Sequence, residues 1–498
     1  MESMKLLPTF AIALASVVLG AGQLSAQKWQ PLQDQPTFQA GTMLLLTDGT
    51  VLVHEEPRNG QNWYKLTPDI RGSYVNGTWA KVASLPSGYS PLFFGSAVLA
   101  DGRVVIEGGE FNNRKEVWTT LGAVYDPVQN QWTSVTPPSG WSHIGDGTST
   151  ILPNGTLMQV DCCDTPPMAA LLDAKTLTWT PTGANKFDVY TREGLTLLPN
   201  GNVLDIDTYV FKYQSDGKNS EIYDPNTGAW SSAASTVVQL WDSAANCGGR
   251  HKANHEIGAA VLRPDGTVFA TGANSCAAGH TAIYDSSAGT WAAGPDFPNR
   301  LNIADGPAAL ETNGKVVMMA SPGFQKPPAT FFEWDGSSLT QIPGPPRASK
   351  DSSFPGHLLE LPTGQLLFTD FSSDVEVFTP HGTYNKAWKP TVTSSPRVVT
   401  RGKSYGIHGT QFNGLSQGAM YNDDFQDATN YPLVRIVNLA TKHVFYCRTH
   451  DHSTMAVATG SELVSTHFDV SVRMETGSSR LYVVANGIPS APVAVTVR

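Results

Sequence analysis

One phrase recurs seven times along the 498 residues, and little else constrains the fold as tightly. It reads MLLLTDGTVLVHEE, SAVLADGRVVIEGGE, STILPNGTLMQVDC, LTLLPNGNVLDID, AAVLRPDGTVFATG, AALETNGKVVMMA and LLELPTGQLLFTD. Each copy is an apolar strand, a two-residue Asp-Gly or Asn-Gly turn (Thr-Gly in the last) and another apolar strand. Glycine supplies the positive φ that a tight hairpin turn needs. The turns begin at Asp48, Asp101, Asn154, Asn200, Asp265, Asn313 and Thr363, with spacings of 53, 53, 46, 65, 48 and 50. A hairpin cannot bury its own faces, so such units must stack on one another. Composition agrees with many short strands: 46 Gly and 34 Pro, with charged residues at 15%, below the usual ~25%.

A second phrase follows most turns: AVYDPVQNQW, ALLDAKTLTW, EIYDPNTGAW and AIYDSSAGTW, with TFFEWDGSSLTQI as a degraded copy. It supplies a third strand and a Trp-bearing fourth. Four strands per unit make a propeller blade, and a period near 50 residues is that of kelch repeats. The seventh unit has its third strand, VEVFTP, but no Trp-bearing fourth. QKWQPL, with Trp29, offers one, so residues 27–33 are expected to close the ring. An open ring would leave a sheet edge and a blade face uncovered. The period changes after about residue 388. PLVRIVN, HVFYCRT, HFDVSVRM, RLYVVAN and APVAVTV then alternate as strands of a sandwich, without the Cys-Trp-Cys signature of antibody domains. The expected fold is all-β: a seven-bladed kelch-type propeller over 27–388, followed by a C-terminal immunoglobulin-like (early-set) β-sandwich over 389–498.

Lys5, the apolar run from Leu6 to Gly20 and AGQLSAQ read as a secretory signal peptide cleaved after Ala26, giving an exported, secreted protein. That run is short for a membrane span. A net charge of −10 and the lack of a polybasic segment argue against nucleic-acid and membrane partners. A monomer is expected. Of the five cysteines, Cys247 and Cys276 could pair, and Cys162 and Cys163 could form a vicinal disulfide or stay reduced; Cys447 is the fifth.

The seven turn phrases, IEGG in the second unit and GAMYNDDFQDATNYPL near the start of the last domain together resemble the galactose oxidase and glyoxal oxidase family over about residues 27–498. The resemblance implies a copper ion and a tyrosyl radical cross-linked to cysteine and covered by tryptophan. It puts the cross-linking cysteine at Ala40 (or Gln39), the radical tyrosine at Phe93 and the covering tryptophan at Phe111. The Tyr-His ligand pair falls at Phe354-Pro355 and the last copper histidine at Asn422. None of these residues is the family's donor. His357 and Tyr421 lie close enough for a slip of register to rescue one ligand each. Copper is implied by resemblance alone, and no cofactor is expected.

The same offset from the other turns gives Asp146, Arg192, Ile257 and Asp305, with His143, Tyr190, Glu193, His255 and Glu256 as neighbours. His255 and Glu256 form the best acid/base candidate, since an imidazole beside a carboxylate moves protons near neutral pH. Alternatively Asp146, Glu193, Glu256 and Asp305 could hold a hard cation. In RTHDHSTM, alternation along a strand would put His450 and His452 on one face as weak metal-ligand candidates. DCCD (161–164) could take a soft metal, and Asn76 and Asn154 match glycosylation sequons. Two functions follow as expectations. One is a secreted module binding carbohydrate, another small polar ligand or a protein. The other is an extracellular enzyme on carbohydrates or small alcohols and aldehydes, using a non-radical funnel site or shifted copper ligands.

Overall fold

Each repeated hairpin becomes the inner pair of a four-stranded antiparallel sheet in the computed structural model. The structure describes residues 27–498 apart from 58–59, 164–165, 184–185, 188, 209–216, 244–253, 422 and 425–426. The expected leader over 1–26, Cys247 and Asn422 therefore lie outside the described residues.

The repeated turn has three residues, not two. In the first copy Gly49 N donates to Leu46 O and Leu46 N donates to Thr50 O. The other six copies repeat this pair of bonds, as between Leu99, Gly102 and Arg103. The turn is followed by a glycine bulge, and the seven glycines have φ between +76° and +87°. The preceding Asp or Asn side chain adds a local bond in most copies, such as Thr50 N to Asp48 Oδ1 at 3.0 Å.

Seven such sheets are present among the described residues. The first consists of Ala40–Leu45, Val51–Glu55, Trp63–Thr67 and Thr78–Lys81. The seventh joins His357–Glu360, Leu366–Thr369 and Glu376–Thr379 to the N-terminal strand Lys28–Pro31. Trp29 pairs opposite Phe378, as the closure argument requires. Blades are tied to their predecessors by the outer-strand tryptophans. Trp79, Trp132, Trp179 and Trp291 donate their indole N–H to Asp34 O, Ala83 O, Thr136 O and Ala233 O, at 2.9, 3.0, 2.8 and 3.1 Å. Trp29 makes the same bond, to Pro343 O of blade six at 2.7 Å, and packs on Phe331, Phe368 and Phe378.

After residue 390 the chain forms a β-sandwich. Thr391–Ser394, Ser404–Thr410 and Val464–Asp469 form one side; Leu433–Asn438, Gly477–Ala485 and Val493–Val497 form the other. Val444–His450 pairs with both sides. Ile407 and Phe468 meet Val434, Leu481 and Val495 in one core, with the free thiol Cys447 buried among them.

A segment of this unit enters the ring. Ala419–Met420 adds a fifth strand to blade six beside Ala308–Leu310. Just before it, the Gln417 side chain accepts from Leu197 N (2.7 Å) and donates to Thr150 Oγ1 (3.1 Å), joining blades four and three. Gly418 sits at φ +94°, where a Cβ would come within 2.6 Å of Glu360 Oε2 and Thr429 Oγ1, so no side chain is tolerated. On the way out, Tyr431 donates to Leu45 O of blade one. Among the described residues no helix is long and apolar enough to cross a membrane.

Closure by the N-terminal strand should be measurable. Trp29→Phe keeps ring contacts but loses the bond to Pro343 O, and should cost about 1 kcal/mol. Trp29→Ala should cost about 2–3 kcal/mol, and deleting 27–33 more. Chemical denaturation reads all three; a deletion that melts like the full chain contradicts closure.

Candidate functional site

The inner strands of the blades begin at one end of the ring, and a cavity of about 760 Å³ opens there. Its lining is of two kinds. Blades two, six and seven contribute Phe93, Phe111, Phe324 and Phe354. Their rings form a chain, with Phe93 6.0 Å from Phe111 and 5.8 Å from Phe354, and Phe324 5.1 Å from Phe354. The other kind comprises Glu110, Asp146, Arg192, Asn254, His255, Glu256, Asp305, Asp423 and Asp424. Phe93, His255 and Asp305 all have positive φ, at +56°, +66° and +53°. Such backbone is uncommon outside glycine, and it gathers where side chains must leave the strand direction to face a site.

The charges are unbalanced. Arg192 Nη1 lies 3.4 Å from Glu256 Oε1 and 3.6 Å from Asp146 Oδ2. Although burial works against its charge, those two carboxylates hold Arg192 more firmly protonated than usual. The acids shift the other way. Burial, opposed by Arg192, lifts Asp146 to about 6. Burial and then Asp305 lift Asp423 to about 6 and push Glu256 well above the carboxylate range. Burial and then Asp146 lift Glu110 to about 7. A side recess of about 300 Å³ shares Arg192, Asn254 and His255 with the main cavity and adds Trp118, Cys163, Val189 and Thr191.

Several expected residues meet here, and others do not. Asp146, Arg192, His255, Glu256 and Asp305 line the cavity. Tyr190 and Glu193 do not. They turn into the wall of blade four, where buried Lys186 bonds Glu193 at 2.6 Å and Asp205 at 2.9 Å and lies over the Tyr190 ring. Glu193 instead shapes the loop, accepting from Thr191 N (2.9 Å) and Arg192 N (2.8 Å). Ile257 packs into the hydrophobic core. His143 meets Trp118 edge-on and contacts Cys162 O at 3.0 Å. The His255-Glu256 pair is not a simple acid/base dyad: Glu256 is engaged by Arg192 and Asp305, and His255 stacks on Trp241. Glu110, Asp423 and Asp424 escaped the sequence reading; the only signals were the double Gly before Glu110 and the acidic YNDD run.

The residues present do not fit a copper-radical centre, which needs imidazole and phenolate donors in a roughly square set. Phe93 and Phe354 fill two donor positions with hydrocarbon, and Ala40 is buried without a thiol. Among the described residues, His255 is the single imidazole lining the cavity. The Tyr421 hydroxyl donates to Phe354 O at 2.6 Å. His357 does not rescue a ligand: it is buried behind the lining, stacked on Tyr421, with Nδ1 3.2 Å from Pro355 O.

The remaining candidates separate as well. The strand ends at His450, and Asp451 has φ +51°, so alternation fails and His450 and His452 part. His450 contacts Asp451 (2.8 Å) and Asp469 (3.2 Å); His452 is buried against Thr466 and Tyr431. Cys162 and Cys163 form the vicinal disulfide, which leaves no thiolate pair for a soft metal. Cys276 is disulfide-bonded, and its expected pairing with Cys247 falls outside the described residues.

No family model matches the sequence, and no curated protein matches it. Among solved structures, a fungal alcohol oxidase of the AA5 family in complex with copper aligns at 14% identity and TM-score 0.52, covering 95% of this chain and 100% of that one. The likeness is one of fold, coarse and galactose oxidase-like. A catalytically inactive virginiamycin B lyase from Staphylococcus aureus with quinupristin aligns at 10% identity and TM-score 0.48, covering 71% of this chain and 100% of that one. The extracellular domain of a putative hybrid two-component system from B. thetaiotaomicron aligns at 9% and 0.47, over 95% and 59%. At those scores neither bears on the fold.

The buried imidazole gives a pH test. Burial lowers the His357 pKa from 6.5 to about 4. The unfolded chain takes up this proton first, so stability is lost as pH falls from about 6.5 towards 4. The loss is on the order of 3 kcal/mol. His357→Gln should flatten that limb in melts between pH 7 and 4; an unchanged slope contradicts a neutral buried imidazole.

Proposed function

We propose that this chain is a secreted ligand-binding propeller of galactose oxidase-like fold that takes a carbohydrate or similar polyhydroxylated molecule at the funnel mouth, without copper-radical chemistry. The observation that carries this is the pairing of phenylalanine rings with ionisable groups in a single cavity. A sugar ring has the matching character, with an apolar face of C–H groups and an edge of hydroxyls. Phe93 and Phe354 would take the face, and Arg192, Glu256 and Asp146 the hydroxyls, by charge-assisted hydrogen bonds. The recess beside Trp118 and Cys163 offers room for a second unit. Export is supported by the disulfide-bonded Cys162, Cys163 and Cys276, since such bonds persist in oxidising compartments. The division into 27–388 and 389–498 is part of the same reading. An enzyme working through His255 and Glu256 is the second reading, and the hold of Arg192 on Glu256 ranks it lower.

Binding to a panel of glycans and small polyols, followed by calorimetry, tests this. Phe354→Ala and Arg192→Ala should each weaken the best ligand at least tenfold, about 1.4 kcal/mol. No binder in the panel, or a binder unaffected by both changes, contradicts the proposal. Copper-loaded protein should also form no peroxide from galactose, primary alcohols or aldehydes. Peroxide that disappears in His357→Ala would restore the oxidase.

A further inference from the structure

Three buried carboxylates lining the cavity come from three separate parts of the chain. Glu256 precedes the inner strand of blade five, Asp305 precedes that of blade six, and Asp423 follows the strand that the C-terminal unit inserts beside blade six. One oxygen from each lies within 4.8 Å of the others. The residues are 2%, 4% and 5% exposed. Like charges so close and so dry repel strongly. Among the described residues, Arg192 is the one guanidinium or ammonium group lining the cavity, and it is shared with Asp146 across long contacts.

Unsatisfied oxygens point the same way. Among the described residues, Glu256 Oε2, Asp424 Oδ2 and Asp146 Oδ1 are buried with no hydrogen-bond partner. A buried polar atom without a partner costs as much as a lost hydrogen bond or more. Glu256 belongs to the trio, and Asp146 and Asp424 line the same cavity. Buried acceptors that lack donors are what a bound cation satisfies.

We propose that Glu256, Asp305 and Asp423 bind one hard divalent cation, calcium above magnesium or manganese. Three carboxylates with no sulfur and no imidazole select a hard ion. Calcium takes six to eight oxygens in flexible geometry, whereas magnesium demands a near-ideal octahedron. Three protein ligands from different elements leave several positions open towards the cavity. Those positions would take hydroxyl pairs of the carbohydrate; this last step alone rests on the proposed function.

The test uses the full chain stripped with EDTA and titrated calorimetrically with CaCl2, MgCl2 and MnCl2. One saturable site per chain is expected, tightest for calcium, with a higher melting temperature when calcium is present. Asp305→Asn and Asp423→Asn should each weaken calcium at least tenfold, while Glu116→Gln, on an exposed strand end, should not. No saturable binding of any of the three ions by the native chain overturns the proposal, as does binding within twofold of native in both Asn variants. Should those variants fail to fold, the near-isosteric Glu256→Gln and the native titration decide by the same criteria. The best glycan is then titrated with calcium and with EDTA. Calcium binding without any glycan binding leaves the cation site standing and removes the carbohydrate reading. Glycan binding by a chain that takes no cation does the reverse.

Discussion

The indole N–H that reaches from one blade to a carbonyl of the blade before it is the contact on which the ring depends. Trp79, Trp132, Trp179, Trp291 and Trp29 all make it. A propeller has no common centre of packing, so its shape rests on the interfaces between neighbours. Each tryptophan combines a large buried face with one donor that must be satisfied, and so fixes both the spacing and the tilt of adjacent sheets. The cavity inherits this. Its walls are strand ends held at one height because the blades cannot slip past one another.

The second constraint is asymmetric. The ring alone would place seven similar strand starts around an axis. The inserted segment at Gln417–Met420 breaks the symmetry by pairing with blade six alone while bonding blades three and four. It carries Asp423 and Asp424 to the cavity that the phenylalanines of blades two and seven also line. The segment thus delivers carboxylates to a cavity that is also lined by phenylalanines.

The repeat made most of the scaffold legible. Glycine period, Trp-bearing strands and the gap in unit seven led to the closing strand at Trp29, and the structure has it. The counting rule from each turn also brought Phe93, Asp146, Arg192 and Asp305 to the cavity. It failed at Ile257, and the neighbours Tyr190 and Glu193 also turn away, for a physical reason. Offset along a strand sets height, but direction is set by local backbone and by competing partners. Buried Lys186 draws Glu193 inward, and the positive φ of His255 turns the blade-five entry so that His255 and Glu256 face the mouth while Ile257 joins the core. Asp423 and Glu110 stand in loops with no repeat to count from. The turn itself was misjudged by one residue because Asp-Gly suits both a two-residue turn and a three-residue loop ending in a glycine bulge.

Blade seven is assembled from the two ends of the propeller sequence, with Lys28–Pro31 laid against Glu376–Thr379. Nearly the whole ring must be synthesised before that strand finds its partner. Until then the edge at Val377 and Phe378 stands open, and so does the face of blade six that Trp29 covers. Such a long loop to close implies slow final folding and a late intermediate with an adhesive strand edge. The order of synthesis thereby becomes part of the design: the first strand of the ring to be made is the last to be used.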